Sequence, residues 1–295
     1  PGPADYANGI IGDLGNLPAF RGGIALGPML EDEFNIPVFV NNDGDLYAYG
    51  ESIAGFLPWV NGQLEAAGSP KRFKNLIGLT LGTGCGGGLV VNGKLFEGDN
   101  CSGAEVWLLS QRYSDSINIE ENISIRAVKR IYAEKVGLPI EQAPTPKDIY
   151  DIGMGEKEGD REAALEAFRS MGRALGDLIC NITTLFDCPT VIGGGVSGAK
   201  ELFVPAMLEE INTRFSNFRG DSYPRLTQKM FNLDDSSQVS EFVKGEVRQI
   251  AVPGTSKHVT YDPMSRVGFG FSQIGTSKAI SIGAYAYALS RIDGQ

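Results

Sequence analysis

The segment Leu76-Ile77-Gly78-Leu79-Thr80-Leu81-Gly82-Thr83-Gly84-Cys85-Gly86-Gly87-Gly88-Leu89-Val90-Val91-Asn92-Gly93-Lys94-Leu95 decides how this 295-residue chain is read. An apolar run, five glycines within the seven residues Gly82–Gly88 and a second apolar run predict a strand, a glycine turn and a returning strand. Glycine lacks the Cβ that disfavours positive φ, so successive N–H groups of such a turn can face one concavity and hold phosphate oxygens. Thr83 adds a hydroxyl at its centre. The spacing fits neither GxGxxG opening a helix nor GxxxxGK[ST], so neither a dinucleotide fold nor a P-loop NTPase is indicated. A plain tight β-hairpin is the structural alternative, although it needs fewer glycines.

Upstream, Val38-Phe39-Val40-Asn41-Asn42-Asp43 reads as an apolar strand ending in polar residues, followed by a helix through Tyr47, Tyr49 and Glu51. A carboxylate at the C-terminal end of a strand faces the crevice of an α/β sheet. Asp43 is thereby placed to act as a base on a hydroxyl, with Asn42 orienting the same substrate. The competing reading is that Asn42 or Asp43 only caps the helix.

Together these segments resemble the ROK family of sugar kinases and sugar-responsive repressors, whose fold is the actin-like ATPase fold (ribonuclease H-like). Asn16-Leu17-Pro18-Ala19-Phe20 resembles the family's N-L-P-G-W sugar loop, and Asn35–Asp43 followed by Glu51 its L-P-V-x-V-E-N-D-A strand and helix. Leu79–Gly98 is similar to its phosphate hairpin. Ser102-Gly103-Ala104-Glu105 stands where the family has A-G-E-x-G-H, and Val191–Ser197 where it has the I-G-G-G-x-S adenosine loop. Ile274–Leu289 is similar to its closing L-G-x-x-A-x-x-x-G-A-A helix. Six pieces in the family's order cover most of the chain.

Three departures limit the resemblance. Family members open with a strand and a D-x-G-G-T phosphate loop, whereas this sequence starts at Pro1-Gly2-Pro3, similar to an interior family segment. We therefore expect a chain whose N-terminal part is missing, and from the sequence as it stands, sugar binding with negligible turnover. Asp151-Ile152-Gly153-Met154-Gly155 imitates the missing loop but follows a polar, helix-like stretch, and reads as a helix end and turn. The family's zinc motif is also absent: Leu108 stands where the His would be and Leu109–Asn122 holds no Cys, so no structural zinc and no zinc-liganding metal residues are expected. Within that segment Asn118-Ile119-Glu120 matches the family's C-L-E. Finally, residues 212–273 are longer and more polar than the family pattern and suggest a surface loop or hairpin excursion. It contains the single His, His258, read as a strand or loop residue, and the strand-like Arg266–Gly275.

The chain carries 26 Lys and Arg against 36 Asp and Glu, a net charge of -10, with the basic residues dispersed. This disfavours non-specific nucleic-acid binding, and no helix-turn-helix pattern is present. No apolar run is long enough to suggest a membrane span. Cys85, Cys101, Cys180 and Cys188 lack C-x-x-C spacing and read as free thiols of a reducing, cytoplasmic compartment; Cys85 reads as structural. The expected organisation is two α/β domains around a cleft. Residues 1–74 with a last helix, 281–295, form the remainder of a small domain: a helix in Ile24–Phe34, the Val38–Asp43 strand, a helix Leu46–Leu57, and a polar connection Pro58–Lys74 whose Trp59 lies near the cleft. Residues 75–280 form the large domain, with helices Ile125–Lys135 and Ala163–Phe186; Leu165, Phe168, Met171, Leu175, Leu178, Ile179 and Ile182 mark one buried face of the latter.

The resemblance implies an ATP-dependent sugar kinase. Asp43 would take the proton of a hexose or N-acylhexosamine hydroxyl, O6, while Asn16, Asn42, Glu105 and Glu120 bind the sugar. Gly82, Thr83, Gly84 and Gly86 would hold the phosphates, Mg²⁺ would neutralise charge, and Gly194 and Gly195 would let the backbone approach the adenosine. Homodimers are expected from the family. Loss of the His and zinc motif favours the alternative, a non-catalytic sugar-binding regulator; a purely structural protein would explain neither polar cluster.

Overall fold

The computed structural model describes residues 4–13 and 18–293. In chain order the elements are β1 (Ala4–Asp5), β2 (Ile10–Ile11), α1 (Leu26–Phe34), α2 (Asp43–Ala54), α3 (Phe56–Ala66), β3 (Leu76–Leu81), β4 (Cys85–Val91), β5 (Lys94–Leu95), α4 (Glu120–Ile123), α5 (Ile125–Val136) and α6 (Pro146–Met154). They continue with α7 (Arg161–Phe186), β6 (Thr190–Gly193), α8 (Lys200–Ile211), β7 (Arg214–Ser216), β8 (Ser222–Pro224), β9 (Lys229–Asn232), α9 (Ser236–Lys244), β10 (Arg248–Ala251), β11 (His258–Tyr261), β12 (Arg266–Phe271) and α10 (Thr276–Asp293).

The central sheet has the order β5-β4-β3-β6-β12-β9. β3 pairs antiparallel with β4 through Leu81↔Cys85, and parallel with β6; β6, β12 and β9 continue in parallel. Alternation along a strand sends successive side chains to opposite faces. Ile77, Leu79, Leu81 and Ile192 accordingly enter one core with Leu175, Leu178 and Phe203 of α7 and α8. Leu76, Val90 and Val191 enter the other core, under Tyr47, Phe56, Phe242 and Ala279 of α2, α3, α9 and α10. The predicted face of α7 is buried except for Leu165, which is half-buried. α6 ends in Gly155 at φ 81°, so the D-x-G-like sequence there is the helix end and turn its composition indicated.

Several expectations fail for physical reasons. The hairpin glycines are not there for positive φ: Gly93 and Gly194 are among the described glycines that have it, but none of Gly82–Gly88 is. Gly84, Gly86, Gly87 and Gly88 serve close approach, while Gly82 has open space where its Cβ would stand. A Cβ on Gly88 would lie 2.6 Å from the Gly44 carbonyl and 2.8 Å from Ala48 Cβ, and one on Gly87 2.7 Å from the Ala104 carbonyl. β4 can therefore lie directly against α2.

Val38–Asn42 is not a strand, because no described strand lies beside it to complete a ladder. Pro58–Lys74 is not simply a connection: α3 runs to Ala66, with Pro58 in its first turn, where the missing N–H had no helical partner. Phe56, Leu57, Val60 and Leu64 bury its inner face. Trp59 stacks on Phe56 at 5.8 Å instead of lining the cleft.

The 212–273 stretch does form exposed hairpins, β7–β8 and β10–β11, the latter holding His258. It also supplies β9 and the fully buried β12 to the main sheet, so it is not only a surface excursion. α10 starts at Thr276 and not at Ser281. It crosses α2 at small residues: a Cβ on Gly50 would run into the Ala279 carbonyl, and one on Gly283 into that of Leu46.

Candidate active site

The parallel strands β3 and β6 end at Leu81 and Gly193, and a cleft of about 690 Å³ opens beyond their C-terminal ends. Its lining unites Asp43, Gly82, Thr83, Gly84, Gly86, Glu120 and Gly194 with Thr80, Leu81, Cys85 and Trp107. Gly195 borders a neighbouring cavity, Asn42 and Glu105 adjoin lining residues Asp43 and Trp107 without lining the cleft themselves, and Asn16 lies outside the described residues.

Asp43 is the first residue of α2 and is exposed. Its neighbour Asn42 is the N-cap, its Oδ1 accepting the Gly44 N–H at 2.7 Å. The capping alternative thus describes Asn42, while the Asp43 carboxylate accepts no hydrogen bond among the described residues. It stands at the positive end of the helix dipole, where a carboxylate is favoured.

Opposite, Gly82-Thr83-Gly84 close the hairpin, with the Gly82 N–H donating to the Gly84 carbonyl at 2.9 Å. The Ile125 N–H donates to the Gly82 carbonyl at 2.9 Å and ties the turn to the start of α5. Glu120 begins α4 and accepts the Cys85 N–H at 2.9 Å, with Arg126 at 2.9 Å on its other oxygen. Glu105 is half-buried and accepts the indole N–H of Trp107. The cleft's tryptophan is thus Trp107, which the sequence reading passed over. Burial, then the nearby Glu120 charge, pushes the Cys85 thiol up, leaving it inert. Gly194 is required by geometry, since it has φ 86° and any Cβ would strike the Leu81 backbone.

Two further features escaped the sequence reading. Asp45, 5% exposed, lies two residues after Asp43 in α2 with its Oδ1 unpartnered. Burial first, then the charges of Glu105, Glu97 and Asp43, push its carboxyl up to about 8. The signal was a second Asp at i+2 of a helix start, which caps do not need. Beyond Gly195 lies a predominantly apolar cavity of about 390 Å³ between Ile125, Val128, Pro146, Tyr150 and Phe168. These residues come from α5, α6 and α7, and only folding brings them beside the Gly194-Gly195 turn.

A crevice at the carboxyl ends of parallel strands, walled by a glycine hairpin and an acidic helix N-terminus, defines a ligand-binding α/β protein of the actin-like ATPase fold, the fold of its structural neighbours. The ROK family model matches residues 16–107 and 115–237, and the chain belongs to the ROK family. A glucokinase from Parabacteroides distasonis is 48% identical with a TM-score of 0.90, over 98% of this chain and 79% of that one. The N-acetyl-D-glucosamine kinase of Vibrio cholerae is 30% identical over 215 residues, 67% of this chain and 64% of the relative. The xylose repressor of Bacillus subtilis is 23% identical over 209 residues, 70% of this chain and 50% of the relative. The chain spans about half to two thirds of the length of these curated relatives. No helix among the described residues is long and apolar enough to cross a membrane.

Proposed function

We propose that the protein is a sugar kinase transferring the γ-phosphoryl group of ATP to O6 of a hexose or N-acylhexosamine, with Asp43 as general base. The observation that carries this is the unencumbered Asp43 carboxylate sharing one cleft with the Gly82-Thr83-Gly84 turn. The kinases among the relatives support it.

In this reading Asp43 takes the proton of the sugar hydroxyl as its oxygen forms a bond to the γ-phosphorus, and ADP leaves. Asn16, Asn42, Glu105 and Glu120 hold the other hydroxyls. The hairpin N–H groups and Thr83 hold the phosphates, Gly194 and Gly195 let the backbone approach the adenosine, and the apolar cavity behind Gly195 takes the adenine. Among the described residues no group of three His, Cys, Asp or Glu side chains could hold a metal by itself. An exposed carboxylate at Asp43 beside a phosphate turn fits Mg²⁺ bound chiefly by nucleotide phosphates, where it supplies charge neutralisation. α2, α3 and α10 pack on one face of the central sheet, so the lobe proposed to close over the cleft lies before α2, and the protein acts as a homodimer.

One observation favours a second reading, a sugar-binding regulator without transfer: Leu108, 58% exposed, occupies the place of the family's His. Hexose-dependent ADP release by the full-length protein, against a panel of hexoses and N-acylhexosamines with Asp43→Asn alongside, decides between them. Release that the variant loses is expected. No release from either protein, with a hexose still raising the melting temperature, would establish the regulator.

A further inference from the structure

The family match breaks between residues 107 and 115, the segment where the zinc motif is absent, and from it Arg112 and Tyr113 reach a buried ionic cluster on α7 and α8. α7 and α8 cross closely because Gly172 and Gly176 lack side chains; a Cβ on Gly176 would lie 2.6 Å from the Met207 carbonyl. That crossing sets Asp177 of α7 and Glu210 of α8 side by side, their side chains 3% and 6% exposed. Two like charges taken out of water side by side repel, and cations paired with them offset that cost. Arg225, 4% exposed, pairs with both but brings only one charge. Arg112 brings the second, donating from its guanidinium to Glu210 at 2.7 Å and from its backbone N–H to Asp177 at 3.2 Å. The Tyr113 hydroxyl donates to the other Glu210 oxygen.

Arg112 and Tyr113 form the tip of a closed loop. Its neck is sealed where the Ile119 N–H donates to the Leu109 carbonyl at 2.9 Å. Buried Gln111 braces the interior by donating to the carbonyls of Asn118 at 2.8 Å and Ile117 at 3.3 Å. Glu105, with Trp107, leads into the neck, and Glu120 leaves it directly.

We infer that the Arg112–Tyr113 tip, locked into the Asp177–Arg225–Glu210 cluster, is a metal-free clamp whose role is to position Glu105 and Glu120 for the sugar. Arg112 and Tyr113 are positioning residues that line neither the cleft nor the apolar cavity beyond Gly195. The inference rests on the sugar-kinase reading for its substrate but not for its mechanics.

The test compares the full-length protein with the double variant Arg112→Ala/Tyr113→Phe and with Arg112→Lys, which restores one cation. The α7–α8 crossing rests on Gly172 and Gly176 and keeps Arg225 between the two carboxylates, so it is expected to survive the loss of Arg112. Amide hydrogen exchange should quicken at 106–109 and 119–124, and at Cys85, whose N–H reports on Glu120, while α7 stays protected. The hexose KM should rise about tenfold, with the ATP KM within about twofold of the unaltered protein, and Arg112→Lys should recover part of the loss. Unchanged exchange at these amides overturns the clamp, as does an equal rise in both KM values or loosening that includes α7. If the unaltered protein transfers no phosphate, the kinase reading has failed and the clamp is judged on exchange alone.

Discussion

Asp43 and Glu120 reach the same cleft from supports of opposite character. Asp43 opens a helix fixed by backbone contact: α2 lies against Gly87 and Gly88 of β4 on one side and Ala279 and Gly283 of α10 on the other. Glu120 leaves a loop fixed by charge, through Arg112, Tyr113, Arg225, Asp177 and Glu210. Backbone packing tolerates almost no added atom but ignores salt and pH. An ionic clamp tolerates changes of shape but fails when one charge is removed.

The contrast is broken most severely at its catalytic end. Asp43→Asn should lower kcat by about 10³-fold, within the range of a lost general base, with little change in melting temperature because the side chain is exposed. Gly88→Ala tests the backbone support: its methyl would face the Gly44 carbonyl and Ala48, and chemical denaturation should show a loss of about 3 kcal/mol.

Asp45 sharpens the comparison because it puts a buried titrating group on the backbone-held helix itself. Its folded carboxyl holds a proton up to about 8, whereas in the unfolded chain it ionises near ~3.9. The unfolded state therefore binds fewer protons between those values, and the Asp45 contribution to stability falls as pH rises through that window, then levels. Asp45→Asn should be stabilising by roughly 2 kcal/mol at pH 8 and by little at pH 4, read as the difference between the two proteins' stability profiles. The smallest effect belongs to the exposed β10–β11 hairpin, remote from both supports. His258→Ala should change stability by less than about 0.5 kcal/mol.

The backbone-held side was legible in the sequence because its determinants are contiguous. The glycine run, the polar residues ending at Asp43 and the small residues of the last helix each declare themselves within a few positions, although the reason for the glycines proved to be close approach and not turn conformation. The charge-held side was not legible. Arg112 and Glu210 are 98 positions apart, and nothing near either announces the pairing. Local cues also misled where tertiary context prevailed: Pro58–Lys74 read as a polar connection although Pro58 sits in the first turn of α3, and Val38–Asp43 read as a strand although no partner strand is described. Strand β9 was hidden in a polar stretch because it is short and lies beside exposed hairpins, whereas Arg266–Gly275 read as strand-like and holds β12.

The central claim is that sugar and nucleotide phosphate meet over Asp43. Its most direct test is to mix the full-length protein with γ-labelled ATP and a hexose and follow where the label goes, with Asp43→Asn in parallel. The account predicts label in a sugar 6-phosphate, falling about 10³-fold in the variant while both ligands still bind. Equal labelling of the sugar by both proteins, or label released as inorganic phosphate whether or not sugar is present, would contradict it.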